Sequence, residues 1–129
     1  MHGLLIILCL LAAGNKDSAE NNNILLYQTE EHRDDRLTIH LSEAVSLSHI
    51  RHELGDEING KVADSQRRLI SRLLEIKGVR RVTLNRYRLE IEKGKVFEWK
   101  DIRPQVLDQL GRHFQLIPME KPAKNGKRQ

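Results

Sequence analysis

Apolar and polar positions alternate along two stretches of this chain and recur at helical spacing along two others. Leu37, Ile39 and Leu41 are interleaved with Thr38 and His40, and Tyr87, Leu89 and Ile91 with Arg88 and Glu90. A period of two predicts strands buried on one side only. Ile24 to Tyr27 is a short apolar run suited to a first strand, and His32-Arg33-Asp34-Asp35 is polar and turn-like. Val45, Leu47 and Ile50 continue the alternation into a further strand or an extension. Leu54 to Ala63, with Gly55 and Gly60, reads as a loop with a helical turn. Val79, Val82 and Leu84 predict a strand of imperfect register, bounded by turns at Asn85-Arg86 and Lys93-Gly94-Lys95.

The helical period lies elsewhere. Leu69, Ile70, Leu73, Leu74 and Ile76 share one face of a helix that Asp64 or Ser65 is placed to cap, while Arg67, Arg68 and Arg72 point largely away. Gly78 stands where a left-handed C-terminal residue is cheapest. A second helix carries Ile102, Val106, Leu107, Leu110 and Phe114 on one face. With Asp101 as its cap, Pro104 falls in the first turn, where the missing N–H is no loss, and Trp99 packs just ahead. These elements predict an α+β fold, a two-layer sandwich whose mainly antiparallel sheet of about four strands carries both helices on one face.

Length changes the picture little: 129 residues make one domain with tails. We place an apolar leader and polar linker at 1–23, the domain at 24–118 and a basic, disordered tail at 119–129. Leu4 to Ala13 is unbroken and apolar, yet spans only roughly 15 Å as a helix, short of a hydrocarbon core of about 30 Å. No integral membrane span is expected. The run has the length of a secretory signal and small residues after it, but no Lys or Arg before it. The chain is therefore placed in the cytoplasm, with export as the alternative if Leu4–Ala13 is a signal segment.

Charge narrows the partners without choosing one. The formal net charge is +4, and Lys121, Lys124, Lys127 and Arg128 add to it at the C-terminal end. Between Arg67 and Arg88 the basic residues include Arg67, Arg68, Arg72, Lys77, Arg80 and Arg81, with Glu75 as the only carboxylate. Arginine's planar fork suits carboxylate or phosphate, so Arg67, Arg68, Arg72, Arg80 and Arg81 form the candidate partner-binding group. The plainer reading is a solvated helix face and hairpin balanced by Asp64, Glu90 and Glu92. Nucleic acid is a partner to weigh against an acidic protein, although Tyr87 is the one aromatic available in the stretch for stacking.

Candidate chemistry is sparse. Cys9 is the only cysteine and lies in the leader, which excludes an intramolecular disulfide, a cysteine zinc site and an all-cysteine cluster within one chain. His49 and His52 would share a face if their segment were helical, with His32, His40 and Glu53 as further ligands. Solvent-facing histidines account for the same spacing, and no metal site is assigned. No nucleophile sits in a recognisable turn, so no catalytic residue is assigned and an enzyme is the least favoured class. Trp99 reads as a core anchor.

From Leu69 onward the chain resembles the N-terminal domain of the Nfu/NifU-type iron–sulfur cluster scaffold proteins. Leu69, Leu73, Ile76, Gly78, Val79, Val82, Leu89 and Ile91 match that pattern. Trp99, Ile102, Arg103, Pro104 and Val106 keep the spacing of its closing Trp-x-x-Leu-Lys-Pro-x-Ile motif. Upstream, Gln28-Thr29-Glu30 and Leu37-Thr38-Ile39 resemble its opening. Gly78, Val79, Trp99 and Pro104 are thus structural motif residues. The family's cluster-binding Cys-x-x-Cys lies in a separate C-terminal domain that has no counterpart in this sequence. The resemblance implies a standalone, non-catalytic accessory domain of iron–sulfur cluster assembly or delivery. It would bind no cofactor alone, meet iron and clusters indirectly, and work through protein partners of the assembly machinery. The rival readings are a small basic module for nucleic acid or an acidic protein, and an exported domain of unknown role.

Overall fold

The computed structural model describes residues 23–57 and 62–122. The leader Leu4–Ala13, Cys9, Gly60 and the tail beyond Pro122 lie outside the described residues. Six strands and two helices follow in chain order: β1 (Ile24–His32), β2 (Arg36–Leu41), β3 (Ile50–Glu53), α1 (Asp64–Leu74), β4 (Val79–Leu84), β5 (Arg88–Lys93), α2 (Trp99–Phe114) and β6 (Ile117–Glu120). One sheet takes the order β3-β4-β5-β2-β1-β6. Every pairing is antiparallel except β1 with β6. The α+β class stands, and the sheet is mainly antiparallel as expected.

Register fixes which side chains share a face. Leu37 stands opposite Ile91, Ile39 opposite Leu89, and Val82 opposite Ile91 on the other flank. These residues are fully buried and join Leu69, Ile70, Leu73, Ile102, Val106 and Leu110 of the helices in one core. Arg103 of α2 donates to Thr29 Oγ1 at 2.9 Å and Glu31 Oε2 at 3.0 Å, tying that helix to β1 on the same side. The helices therefore cover one face, and the other is open.

The strand count and both helix caps differ from expectation. The sheet has six strands rather than about four. Residues 42–49 hold no strand, and the added β3 pairs with β4 through Ile50–Leu84 and His52–Val82. It was obscured because buried His52 occupies a core-facing position, donating through Nε2 to the Asp56 carbonyl at 2.8 Å. The other added strand, β6, runs across the expected domain limit at Pro118. Neither Asp64 nor Ser65 caps α1: Ala63 is the cap, with no side-chain bond. Nor is Asp101 the cap of α2. Glu98 is, so Trp99 begins the helix and Pro104 lies in its second turn. Pro104 thus leaves the Lys100 carbonyl without its usual N–H. It is exposed there, and Gln105 Nε2 donates to the adjacent Asp101 carbonyl at 2.9 Å.

Trp99 is 8% exposed, with Lys93 Nζ lying 5.4 Å from its ring centroid. That ammonium pairs with Asp35 Oδ1 at 2.9 Å, while the Lys93 amide donates to the Asp35 carbonyl at 3.0 Å. The β1–β2 turn, β5 and the start of α2 are thereby held at one point.

Candidate functional site

Helix α1 separates its residues cleanly. Leu69, Ile70 and Leu73 go into the core, and Arg67, Arg68, Ser71, Arg72 and Glu75 line a shallow groove on its outer side. Arg67 is engaged, donating to the Val62 carbonyl at 3.1 Å and lying 3.5 Å from Asp64. Arg68 and Arg72 are exposed and make no ion pair among the described residues. Their charge reaches α2: the His113 imidazole is held below its ordinary range, first by burial and then by Arg68 and Arg72. Two helices thus share one positive field.

The structure does not bring Arg80 and Arg81 to that groove. A register shift between Val79 and Arg81 turns Arg81 onto the open sheet face, opposite Glu92 and Glu53. Its guanidinium donates to Glu53 and to Glu92, each at 2.7 Å, and its bonds hold the Glu53 carboxyl below the usual range. The rest of this face is similarly self-paired. Arg36 lies 3.3 Å from Asp34 and 4.0 Å from Glu90, and Arg88 lies 3.7 Å from Glu90. His40 donates to Glu30 at 3.0 Å, lowering that carboxyl. Most of the face's charge is spent within the fold, which leaves little for a phosphate backbone.

Nor are the histidines gathered. His32 shares a hydrogen bond with Thr38, His40 with Glu30, His49 with Asn85 and His52 with Asp56. His49 precedes β3 and His52 lies within it, so the helical spacing that would join them does not exist. Among the described residues no three His, Cys, Asp or Glu side chains converge as a metal site would require.

Lys95, expected only as a turn residue, and Lys77, counted in the basic group but not among the candidate partner-binding residues, lie together. Both flank a glycine turn at the end of β4 and β5, beside Arg80 (the position of each next to Gly78 or Gly94 was the available signal). Gly78 has φ 100° and lies against Phe97, so a Cβ there would sit 2.7 Å from Phe97 Cγ. Only glycine meets both conditions.

The family described as "Scaffold protein Nfu/NifU N terminal" matches residues 32–116. Among solved structures, the crystal structure of protein SAV1430 from Staphylococcus aureus is 19% identical. It aligns 65% of this chain with 93% of that one at a TM-score of 0.49. The solution NMR structure of the same protein is 20% identical, with coverages of 74% and 96% and a TM-score of 0.45. No curated protein gives a significant match. Among the described residues, no helix is long and apolar enough to cross a membrane.

Proposed function

Because that match spans well over half of its length, the chain belongs to the Nfu/NifU N-terminal scaffold family, and we propose that it serves iron–sulfur cluster assembly as a non-catalytic domain acting through protein contacts. The observation that carries this reading is chemical. Clusters are held by thiolates, and no cysteine occurs from Ile24 to Gln129. The matched region therefore has no thiolate to offer a cluster, and its contribution falls to its surface. Cluster and iron are cargo that this domain meets through a partner.

The outer face of α1 is the contact surface we favour, with Arg68 and Arg72 as its principal charges and Arg67 at its edge. Two exposed guanidinium groups on a rigid helix offer forked donors to carboxylates at little cost in ordering. Arg80 and Arg81 are left out of this surface, since Arg81 is already paired.

Two measurements test the reading. Cys9→Ser protein incubated with iron and sulfide should develop no cluster absorption in the visible range; a stable cluster on that variant would overturn it. Binding to a purified Cys-x-x-Cys domain of an Nfu-type scaffold should weaken with salt, because exposed charges are screened over about 8–10 Å. The pair Arg68→Glu and Arg72→Glu should abolish that binding while far-UV circular dichroism stays unchanged. Intact binding by the doubly reversed protein would reduce the arginines to a solvated face.

A further inference from the structure

Cations in this fold divide into two kinds. Those of the open sheet face are mostly engaged by carboxylates, as Arg36, Arg81 and Arg88 show. Where the Gly78 and Gly94 turns meet, they are not. The exposed side chains of Lys77, Arg80 and Lys95 have no hydrogen bond or ion pair among the described residues. Val79 pairs with Lys93, and the Gly94 amide donates to the Gly78 carbonyl at 2.9 Å, so the two turns that carry Lys77 and Lys95 meet at this end of the sheet. A Cβ on Gly94 would lie 3.8 Å from Arg80 Cδ, which places the Arg80 chain alongside. Of the carboxylates near these turns, Asp35 is paired with Lys93, Glu53 with Arg81 and Glu98 with Lys100.

An apolar element stands among these charges. Val96 is 86% exposed and follows Lys95 directly. The turn that carries it is fixed, since the Phe97 amide donates to the Gly94 carbonyl at 3.2 Å and the Phe97 ring packs over Gly78. Leu54, itself 59% exposed, adjoins Arg80 through its amide, which donates to the Arg80 carbonyl at 2.8 Å. An exposed aliphatic side chain on a hydrogen-bonded turn, next to Lys95 and beside the turn that carries Lys77, is preorganised for a contact that the fold itself leaves unmade.

We infer that this end of the sheet docks an acidic protein segment, its carboxylates placed among Lys77, Arg80 and Lys95 and an aliphatic side chain against Val96 and Leu54. The inference rests on the reading that the domain works through protein contacts, and adds to it a surface separate from α1. Nucleic acid is disfavoured because bases stack on aromatic rings. Here the Phe97 ring is packed inward, and exposed Tyr87 lies at the opposite end of β4 and β5.

The test is an NMR titration of the isotope-labelled full chain with a short synthetic peptide of alternating Asp and Leu, beside a single-stranded oligonucleotide. Amide shifts should move at Lys77, Arg80, Lys95 and Val96. Lys77→Glu with Lys95→Glu should weaken the peptide about tenfold or more, and Val96→Ser should weaken it measurably. Shifts confined to α1, no shifts at all, or tighter binding of the oligonucleotide would overturn the inference. So would a Val96→Ser variant that binds the peptide as well as the parent. Because the α1 surface is read against the cysteine-bearing domain, either surface can fail without the other.

Discussion

Asp35 shows how much one residue can hold together. Its backbone is left-handed, at φ 62°, and its carboxylate meets the Lys93 ammonium, whose side chain is only 8% exposed. Asparagine tolerates that conformation, so Asp35→Asn removes charge without adding strain. It should destabilise the domain by about 2–3 kcal/mol, because the enclosed ammonium loses its counter-charge. Urea unfolding measures this directly. Lys93→Met in the same background should recover part of the loss, since no buried charge then remains. Gly78 makes the complementary case, where the backbone is the constraint. Gly78→Ala adds left-handed strain of about 1–2 kcal/mol and forces the Phe97 ring aside at about 1–3 more. A melting temperature unchanged by that substitution would contradict the packing described for the turn.

At the scale of elements, α1 and α2 are coupled by charge as well as by apolar packing. Arg68 and Arg72 help hold the His113 imidazole below its ordinary value, after burial, which is the larger cause. Arg68→Glu with Arg72→Glu should therefore raise the His113 pKa, read from ring proton shifts across a pH titration, while burial keeps part of the depression. Elements were legible in the sequence where periodicity and burial agreed. Leu37, Ile39 and Leu41 of β2, Leu89 and Ile91 of β5, and the stripe Ile102, Val106, Leu110 of α2 all declare the buried side. They failed to show where a polar residue took an inward position, as His52 does in β3, or where Pro118 stands in the four residues of β6. The candidate surface was half legible. Arg67, Arg68 and Arg72 share a helix face that spacing reveals, whereas the side on which Arg81 emerges depends on a register shift that spacing does not.

For the whole molecule, the titrating groups define a pH window. His113 has a folded pKa below its ordinary 6.5, so the unfolded chain takes up the proton first and stability falls as pH drops from about 6.5. Glu30 and Glu53, also lowered, add the same sign further down, below the ordinary 4.5, with their effect muted by full exposure. Tyr27 is raised by burial, and its contribution is lost as pH climbs past 10.0. Thermal melts should thus show a plateau between the imidazole and phenol ranges, and His113→Gln should shift its acid edge downward. The sheet has a mechanical side too. β1 and β6 lie parallel, paired from Ile24–Ile117 to Tyr27–Glu120. A pull applied before Ile24 and after Glu120 drags these neighbours in opposite directions along their length. The load falls on all their cross-strand bonds at once, in shear, instead of opening them one at a time. A domain tethered at both ends would then resist extension where its first strand meets its last, at the edge of the sheet, and would yield there in a single step.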